Sequence, residues 1–124
     1  MEDLKQEGSA KTPVVEFNTS GELLLKGRSI PESSIEFYKP LIEWIESYSE
    51  SPNSSTVLNV QLEYFNTSSS KCILDVFKKL ESVTGSEVSV KWYYEEDDED
   101  MLEAGEDYEA IIDLPFEMIE VEEI

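Results

Sequence analysis

A run of small hydroxyl residues holds the side chains best suited to chemistry in this 124-residue sequence. It extends from Asn66 to Lys71, reads NTSSSK, and joins a predicted strand to a predicted amphipathic helix. The first backbone N–H groups of a helix lack partners within the helix, so they accept capping side chains and also attract phosphate. Spacing alone favours capping by Thr67 or Ser68. However, four consecutive hydroxyls exceed what a single cap requires.

The alternative interpretation makes Thr67 a phosphoacceptor. A phosphate on Thr67 would gain backbone donors, the positive end of the helix dipole and the charge of Lys71, one turn further along the chain. It would also present about -1.5 to -2 new charges to any partner. The sequence therefore predicts that the junction is a candidate phosphorylation site as well as a helix start.

Other kinds of chemistry find little support. The chain has no histidine, which removes Ser-His and Cys-His nucleophiles and the commonest metal ligand. The single cysteine, Cys72, lies on an apolar helical stripe, so we interpret it as a core residue. Because one cysteine cannot form a disulfide within the chain, we expect a reducing compartment. The five glycines are scattered and form no phosphate-binding loop. We expect no catalytic residue and no cofactor.

A block of six acidic residues, Glu95 to Asp100, invites a metal-binding interpretation. A helix-loop-helix calcium loop beginning at Asp98 would need glycine at its sixth position, where Glu103 stands. The last carboxylates of the block are instead placed where they stabilise a helix N-terminus. We therefore expect no specific metal site, and we interpret the block as a helix entry or a protein-docking surface.

The pattern of apolar residues predicts the elements that position the junction. Residues 1–12 lack periodicity and are expected to form a disordered N-terminal tail, with a single domain over residues 13–124. Alternation predicts four or five strands: a hairpin over residues 14–26, then Val57 to Phe65, Val88 to Tyr94 and an edge strand over 116–121.

Apolar residues at helical spacing predict three helices. The first runs from about Pro31 or Ser33 to Tyr48 and is kinked or divided at Pro40. The second follows the hydroxyl run, and the third covers about residues 98–111. Because two of the strands have one polar face, the helices should lie mainly on one side of the sheet. The expected fold is a two-layer α/β domain with a mixed sheet.

The charge balance restricts the partners. Acidic residues number 29 against nine basic ones, and residues 91–124 contain 15 of the acidic residues but only one basic residue, Lys91. Nucleic acids and anionic membranes need Lys and Arg to displace their counterions, so neither is an expected partner. Proteins with basic surfaces fit better. The sequence also lacks a signal peptide and a run of about 18 apolar residues, so we expect a cytoplasmic protein.

Three segments of the sequence resemble one known family. FYKPLIEWI (Phe37 to Ile45), YFNTSSSK (Tyr64 to Lys71) and VKWYY (Val90 to Tyr94) are similar to motifs of the SiaC family of bacterial regulatory phosphoproteins. The likeness extends from about Pro13 to Val121. It implies a fold like that of the STAS domains of anti-sigma-factor antagonists.

The resemblance implies that Thr67 is phosphorylated by a partner Ser/Thr kinase of the histidine-kinase-like ATPase type. A PP2C-type phosphatase reverses the modification in this family. The unmodified form binds and activates a diguanylate cyclase, which links the pathway to cyclic-di-GMP and biofilm formation. On this view the protein is not an enzyme, and Asn66, Ser68, Ser69 and Lys71 contribute to partner binding beside the phosphosite.

Two features depart from the family pattern: Ser70 stands where a hydrophobic residue often follows the motif, and the acidic block is longer than expected. Either could alter which partner is recognised. Two other functions stay open at this point. One is an anti-sigma-factor antagonist in a partner-switching cascade, and the other is an acidic docking or nucleic-acid-mimic module.

Overall fold

The structure is a computed structural model that describes residues 1–124, and it contains one six-stranded sheet and three α-helices. The elements in chain order are β1 (Leu4–Gln6), β2 (Val14–Phe17), β3 (Glu22–Ser29), α1 (Ser34–Tyr48), β4 (Ser55–Phe65), α2 (Thr67–Glu81), β5 (Glu87–Glu95), α3 (Glu99–Ile111) and β6 (Phe116–Val121). The strands lie in the sheet in the same order as in the chain.

The pairing makes the sheet mixed. Strands β1, β2 and β3 are antiparallel neighbours, whereas β3, β4, β5 and β6 are parallel and joined by the three helices. Each crossover moves one strand further in the same direction. Right-handed crossovers of this kind place all their helices on one face. The predicted mixed α/β fold is confirmed, although the sheet has six strands rather than four or five.

Strand β4 shows how sequence alternation becomes a layered core. Leu58, Val60 and Leu62 are buried, with 1% or less of each side chain exposed, while Asn59 and Gln61 on the other face are partly exposed. The face turned towards the helices therefore carries the core, and the opposite face carries polar side chains, as alternation requires.

The expectation that residues 1–12 form a disordered tail was wrong. Leu4–Gln6 forms β1 and pairs with β2 at one edge of the sheet. Two distant contacts also hold this segment: the Thr19 N–H donates to Asp3 at 2.8 Å, and the Trp44 indole N–H donates to the Glu2 carbonyl at 2.9 Å. A strand of three residues is too short for alternation to reveal it.

Helix α1 is continuous from Ser34 to Tyr48 with Pro40 inside it, so of the two expected alternatives at Pro40, a kink or a division into two short helices, the second was wrong. The proline removes one backbone hydrogen bond. Buried side chains on both sides of Pro40, Tyr38 before it and Leu41 and Ile45 after it, fix both halves of the helix to the same core. None of the three helices combines the length and the apolar composition that a membrane-spanning segment needs.

Candidate functional site

The hydroxyl run lies where the sequence predicted it, at the start of α2, but its capping residue is different. Asn66 is the N-cap: its backbone is extended (φ -86°, ψ 174°) and its side-chain oxygen accepts the Ser69 N–H at 2.8 Å. The prediction that Thr67 or Ser68 caps the helix was therefore wrong. Asparagine is among the strongest N-cap residues, and here it stands one position before the hydroxyls. Because Asn66 caps the helix, the Thr67 hydroxyl is not needed for capping.

Thr67 is the first helical residue of α2 and its side chain is exposed. Its hydroxyl makes no hydrogen bond within the chain, and the backbone N–H groups of Thr67 and Ser68 have no acceptor there either. Lys71, one turn further along, is also exposed. An accessible hydroxyl thus lies beside two free amide donors and a lysine, a favourable setting for an added phosphate.

The three serines that follow have separate structural roles. Ser69 is fully buried, and its hydroxyl receives a hydrogen bond from the Ser29 hydroxyl at 2.9 Å and donates to the Ser29 carbonyl at 3.0 Å. Ser68 pairs with Ser34 on α1 at 2.9 Å. Ser69 is therefore a core residue rather than the partner contact that the sequence suggested. The apparent excess of hydroxyls results from side chains that point to different neighbours.

A buried hydroxyl network ties the first turn of α2 to the rest of the fold. The Tyr38 hydroxyl lies 2.6 Å from that of Ser29, and the Ser34 hydroxyl lies 3.3 Å from that of Ser69. Burial raises the pKa of Tyr38 well above its usual value, so the phenol keeps its proton and can donate. No buried side-chain polar atom in the chain is left unpaired. Sequence patterning gave no signal for Ser29 or Ser34, because their partners on α2, Ser68 and Ser69, are 34 to 40 residues away.

Helix α3 packs against the same turn. The Tyr108 hydroxyl donates to the Ser70 carbonyl at 2.8 Å and lies 3.2 Å from the Ser70 hydroxyl. Burial raises the pKa of Tyr108, which keeps this donor protonated. Ser70 therefore links the start of α2 to α3 through Tyr108.

Between these two helices lies a depression of about 440 Å³, which we call the α2–α3 groove. It is lined by Phe65, Thr67, Ser70, Lys71, Leu74, Ala104, Asp107, Tyr108 and Ile111. Most of the lining is apolar, and Ile111 is 55% exposed. Thr67 thus lies on the rim of a groove that a partner could fill.

Residues of the acidic block and Cys72, the other candidates from the sequence, have structural roles. Asp98, within the acidic block, is the N-cap of α3, and its carboxylate accepts the Met101 N–H at 3.0 Å. Glu99 and Asp100 occupy the first turn, where carboxylates stabilise a helix. Cys72 is 6% exposed and burial raises the pKa of its thiol, so the interpretation of this residue as part of the core is confirmed.

The cap assignment predicts a difference between two adjacent residues. Asn66→Ala should lower the free energy of unfolding by about 1 kcal/mol, because it removes the acceptor of the Ser69 N–H. Thr67→Ala removes a hydroxyl with no partner and should change stability by less than about 0.5 kcal/mol. Urea denaturation of both variants measures the two values. Equal losses would contradict the assignment of Asn66 as the cap.

The fold and the site together define a class of protein. A mixed sheet with three crossover helices is the architecture that the resemblance to a STAS-like regulatory family implied, and an exposed hydroxyl stands at the start of the second helix. A family model described as "SiaC family regulatory phosphoprotein" matches residues 6–121. The chain belongs to the SiaC family.

Known proteins of Pseudomonas aeruginosa are similar over nearly the whole chain. An uncharacterised protein of strain UCBPP-PA14 is 32% identical over 119 residues, which is 94% of each sequence. The crystal structure of apo-SiaC is 31% identical with a TM-score of 0.86, over 96% of this chain and 99% of that one. A chain in the crystal structure of the diguanylate cyclase SiaD with its activator SiaC is 30% identical with a TM-score of 0.89, over 96% of this chain and 100% of that one.

Proposed function

We propose that this protein is a non-enzymatic switch that is reversibly phosphorylated on Thr67. The observation that carries the proposal is the exposed Thr67 hydroxyl, which has no partner in the chain and lies beside two free amide donors. The kinase is a Ser/Thr kinase of the histidine-kinase-like ATPase type, and a PP2C-type phosphatase removes the phosphate. Membership of a family of regulatory phosphoproteins supports this assignment.

The effector is a diguanylate cyclase that binds the unmodified form. Support comes from the similarity to a chain in the complex of the cyclase SiaD with its activator SiaC. The net charge of -20 favours an effector with a basic docking surface. Control of cyclic-di-GMP synthesis, and so of biofilm formation, is the expected output of the switch in the cytoplasm.

The position of Thr67 on the rim of the α2–α3 groove suggests how phosphorylation acts. A docked effector would cover the groove, and the oxygens of a Thr67 phosphate that the two amide donors and Lys71 leave unpaired would have to lose their water. An unpaired buried charge costs several kcal/mol, so the complex would dissociate. The fold itself should be unaffected, since no hydrogen bond within the chain depends on the Thr67 hydroxyl.

Mass spectrometry of the intact protein tests the choice of residue. Treatment with the cognate kinase should add one phosphate to the unmodified chain and none to Thr67→Ala. The matched control is Ser68→Ala, which alters the adjacent exposed hydroxyl and should still accept one phosphate. If Thr67→Ala were phosphorylated stoichiometrically, or if Ser68→Ala were not phosphorylated, Thr67 would not be the phosphorylated residue.

A further inference from the structure

One face of the sheet carries no helix. The three crossover helices lie on the other face, where Leu58, Val60 and Leu62 are buried, and every second residue of each strand points away from them. Asn59 and Tyr93 are on this outer side, and the Tyr93 hydroxyl donates to the Asn59 side-chain oxygen at 3.2 Å. We call this side of the sheet the open face. Its side chains can meet a partner without any change in the fold.

The open face differs in charge from the rest of the molecule. It holds four of the nine basic residues of the chain: Lys5, Lys26, Arg28 and Lys91. Six glutamates of the strands share the face, so four positive and six negative charges leave a net charge of -2 there. The whole chain has a net charge of -20, and most of it therefore lies elsewhere. A face with balanced charges does not repel a second copy of itself strongly.

One row of side chains crosses the open face from edge to edge. The strand registers place one residue of each strand in this row, which reads from β1 to β6 as Lys5, Glu16, Leu24, Asn59, Lys91 and Glu117. Its charges are positive, negative, neutral, neutral, positive and negative. The two ion pairs of the chain are both formed by lysines of α2, so none of these four charges is paired within the chain.

The order of the charges makes this row complementary to itself. Two sheets can pack face to face with their strands nearly aligned, and a two-fold axis parallel to the strands then places β1 opposite β6 of the second copy and β2 opposite its β5. Lys5 faces Glu117 of the second copy, and Glu16 faces its Lys91. All four charges therefore meet a charge of opposite sign. A two-fold axis along the row would instead place each charge opposite the same residue, and like charges repel.

The same arrangement gives the exposed Tyr64 a partner. Tyr64 is 50% exposed, and Arg28 is its register neighbour on β3. The two-fold axis that places β3 opposite β4 of the second copy sets the Arg28 guanidinium over the second copy's Tyr64. Arginine packs favourably on the face of an aromatic ring. Near the centre of the face Leu24 lies opposite Asn59 of the second copy, so no charge is buried without a partner there.

The size of the open face sets the strength of such a contact. Six strands about 4.8 Å apart span about 24 Å, and the paired positions of β4 and β5 span about 20 Å along the strands. The footprint is thus about 500 Å² per copy, below the roughly 800 Å² per partner of a standard interface. The dissociation constant should therefore lie in the range of about 1 to 100 µM.

We propose that this chain forms a two-fold symmetric dimer through the open face of its sheet. The dimer is held by Lys5–Glu117 and Glu16–Lys91 contacts between the copies. Helices α2 and α3 lie on the outer sides of the dimer, so Thr67 stays accessible in each copy. The dimer does not depend on phosphorylation of Thr67, and the dimer presents two such sites at once.

Sedimentation equilibrium of the purified full-length chain measures the association. Between about 1 and 500 µM the mass should rise from the 14.2 kDa of one chain towards twice that value. A mass of 14.2 kDa at every concentration would show that the open face is solvated and would overturn the proposal.

Charge reversals test the geometry. Glu16→Lys and Lys91→Glu each create two like-charge contacts across the two-fold axis, so each should raise the dissociation constant at least about tenfold. The double variant Glu16→Lys/Lys91→Glu restores opposite charges and should dimerise within about threefold of the unmodified chain. General repulsion between acidic chains predicts a different result for Glu16→Lys, because this variant is less negative and would associate more tightly.

The matched control is Lys39→Glu. Lys39 is exposed on α1, on the helix side of the sheet, and its reversal changes the net charge as Lys91→Glu does. It should change the dissociation constant by less than about threefold. Thermal unfolding of all variants verifies that they are folded. Equal effects of Lys39→Glu and Lys91→Glu, or a double variant that does not recover, would overturn the proposed arrangement.

A carbodiimide, which joins a carboxylate directly to an amine, tests which residues meet. Within one chain Lys5 and Glu117 are five strand spacings apart, about 24 Å, and Glu16 and Lys91 are three apart, about 14 Å. Neither pair can be joined within one chain. In a mixture of unlabelled and ¹⁵N-labelled chains, mass spectrometry should find both links in the dimer fraction, each between a labelled and an unlabelled peptide. Dimers linked only through residues of the helices would overturn the proposal and leave the assignment of Thr67 unaffected.

Discussion

Thr67→Glu is expected to weaken effector binding by about 10- to 100-fold, whereas Thr67→Ala should bind as the unmodified chain does. The glutamate places a permanent charge on the groove rim, where docking would strip away its water. Alanine leaves the rim apolar and removes a hydroxyl that has no partner in the chain. Titration calorimetry with the purified effector measures both affinities.

The matched control for Thr67→Glu is Ser68→Glu, which adds the same charge at the next residue. Ser68 is exposed and does not line the α2–α3 groove. Its substitution should change the affinity by less than about threefold, because a solvated charge beside an interface is weakly felt. Equal losses from Thr67→Glu and Ser68→Glu would show that net charge, rather than the position of Thr67, controls binding.

Gly105→Ala is expected to destabilise the fold although alanine is the better helix former. A Cβ atom at Gly105 would lie 2.5 Å from Trp92 Cδ1 and 2.7 Å from its Nε1. Trp92 is fully buried and its indole N–H donates to the Met101 carbonyl at 2.9 Å, so the ring cannot move aside easily. Overpacking of this kind costs about 1 to 3 kcal/mol, which exceeds the gain of about 1 kcal/mol in helix propensity.

Urea denaturation of Gly105→Ala and of Ala110→Gly separates the cost of overpacking from the gain in helix propensity. Ala110 is exposed on the same helix, so its change to glycine measures helix propensity alone, a loss of about 1 kcal/mol. Gly105→Ala should also lose stability although it changes the residue in the opposite direction. A stabilised Gly105→Ala variant would show that α3 does not need its close approach to Trp92.

Much of the fold could be predicted from the sequence because its core strands and helices have strong periodicity. The alternation of Leu58, Val60 and Leu62 predicts β4, and the polar residues between them predict a sheet with helices on one side. Strand β1 could not be predicted, since it has only three residues and the residues before it, Glu2 and Asp3, are held by contacts with Trp44 and Thr19, far away in the chain.

The junction was found from residue types, but the roles of its residues were not. The predicted strand ending at Phe65 and the predicted helix after it indicate that the hydroxyls lie beside the free N–H groups of a helix start. The family resemblance then identifies Thr67 as the phosphoacceptor. The different structural roles of the three serines depend on hydrogen-bond partners far away in the chain: Ser29 for Ser69, Ser34 for Ser68 and Tyr108 for Ser70. Only Thr67 among the four hydroxyls lacks a partner. This distinction could not be obtained from local spacing.

The most direct test of the phospho-switch follows one preparation through a full cycle. Calorimetric affinity for the purified diguanylate cyclase would be measured on the unmodified protein, after stoichiometric treatment with the kinase, and after treatment with the phosphatase. We predict tight binding, a loss of at least about 100-fold with one phosphate mapped to Thr67, and full recovery on dephosphorylation. Unchanged affinity in the form phosphorylated on Thr67 would contradict the account.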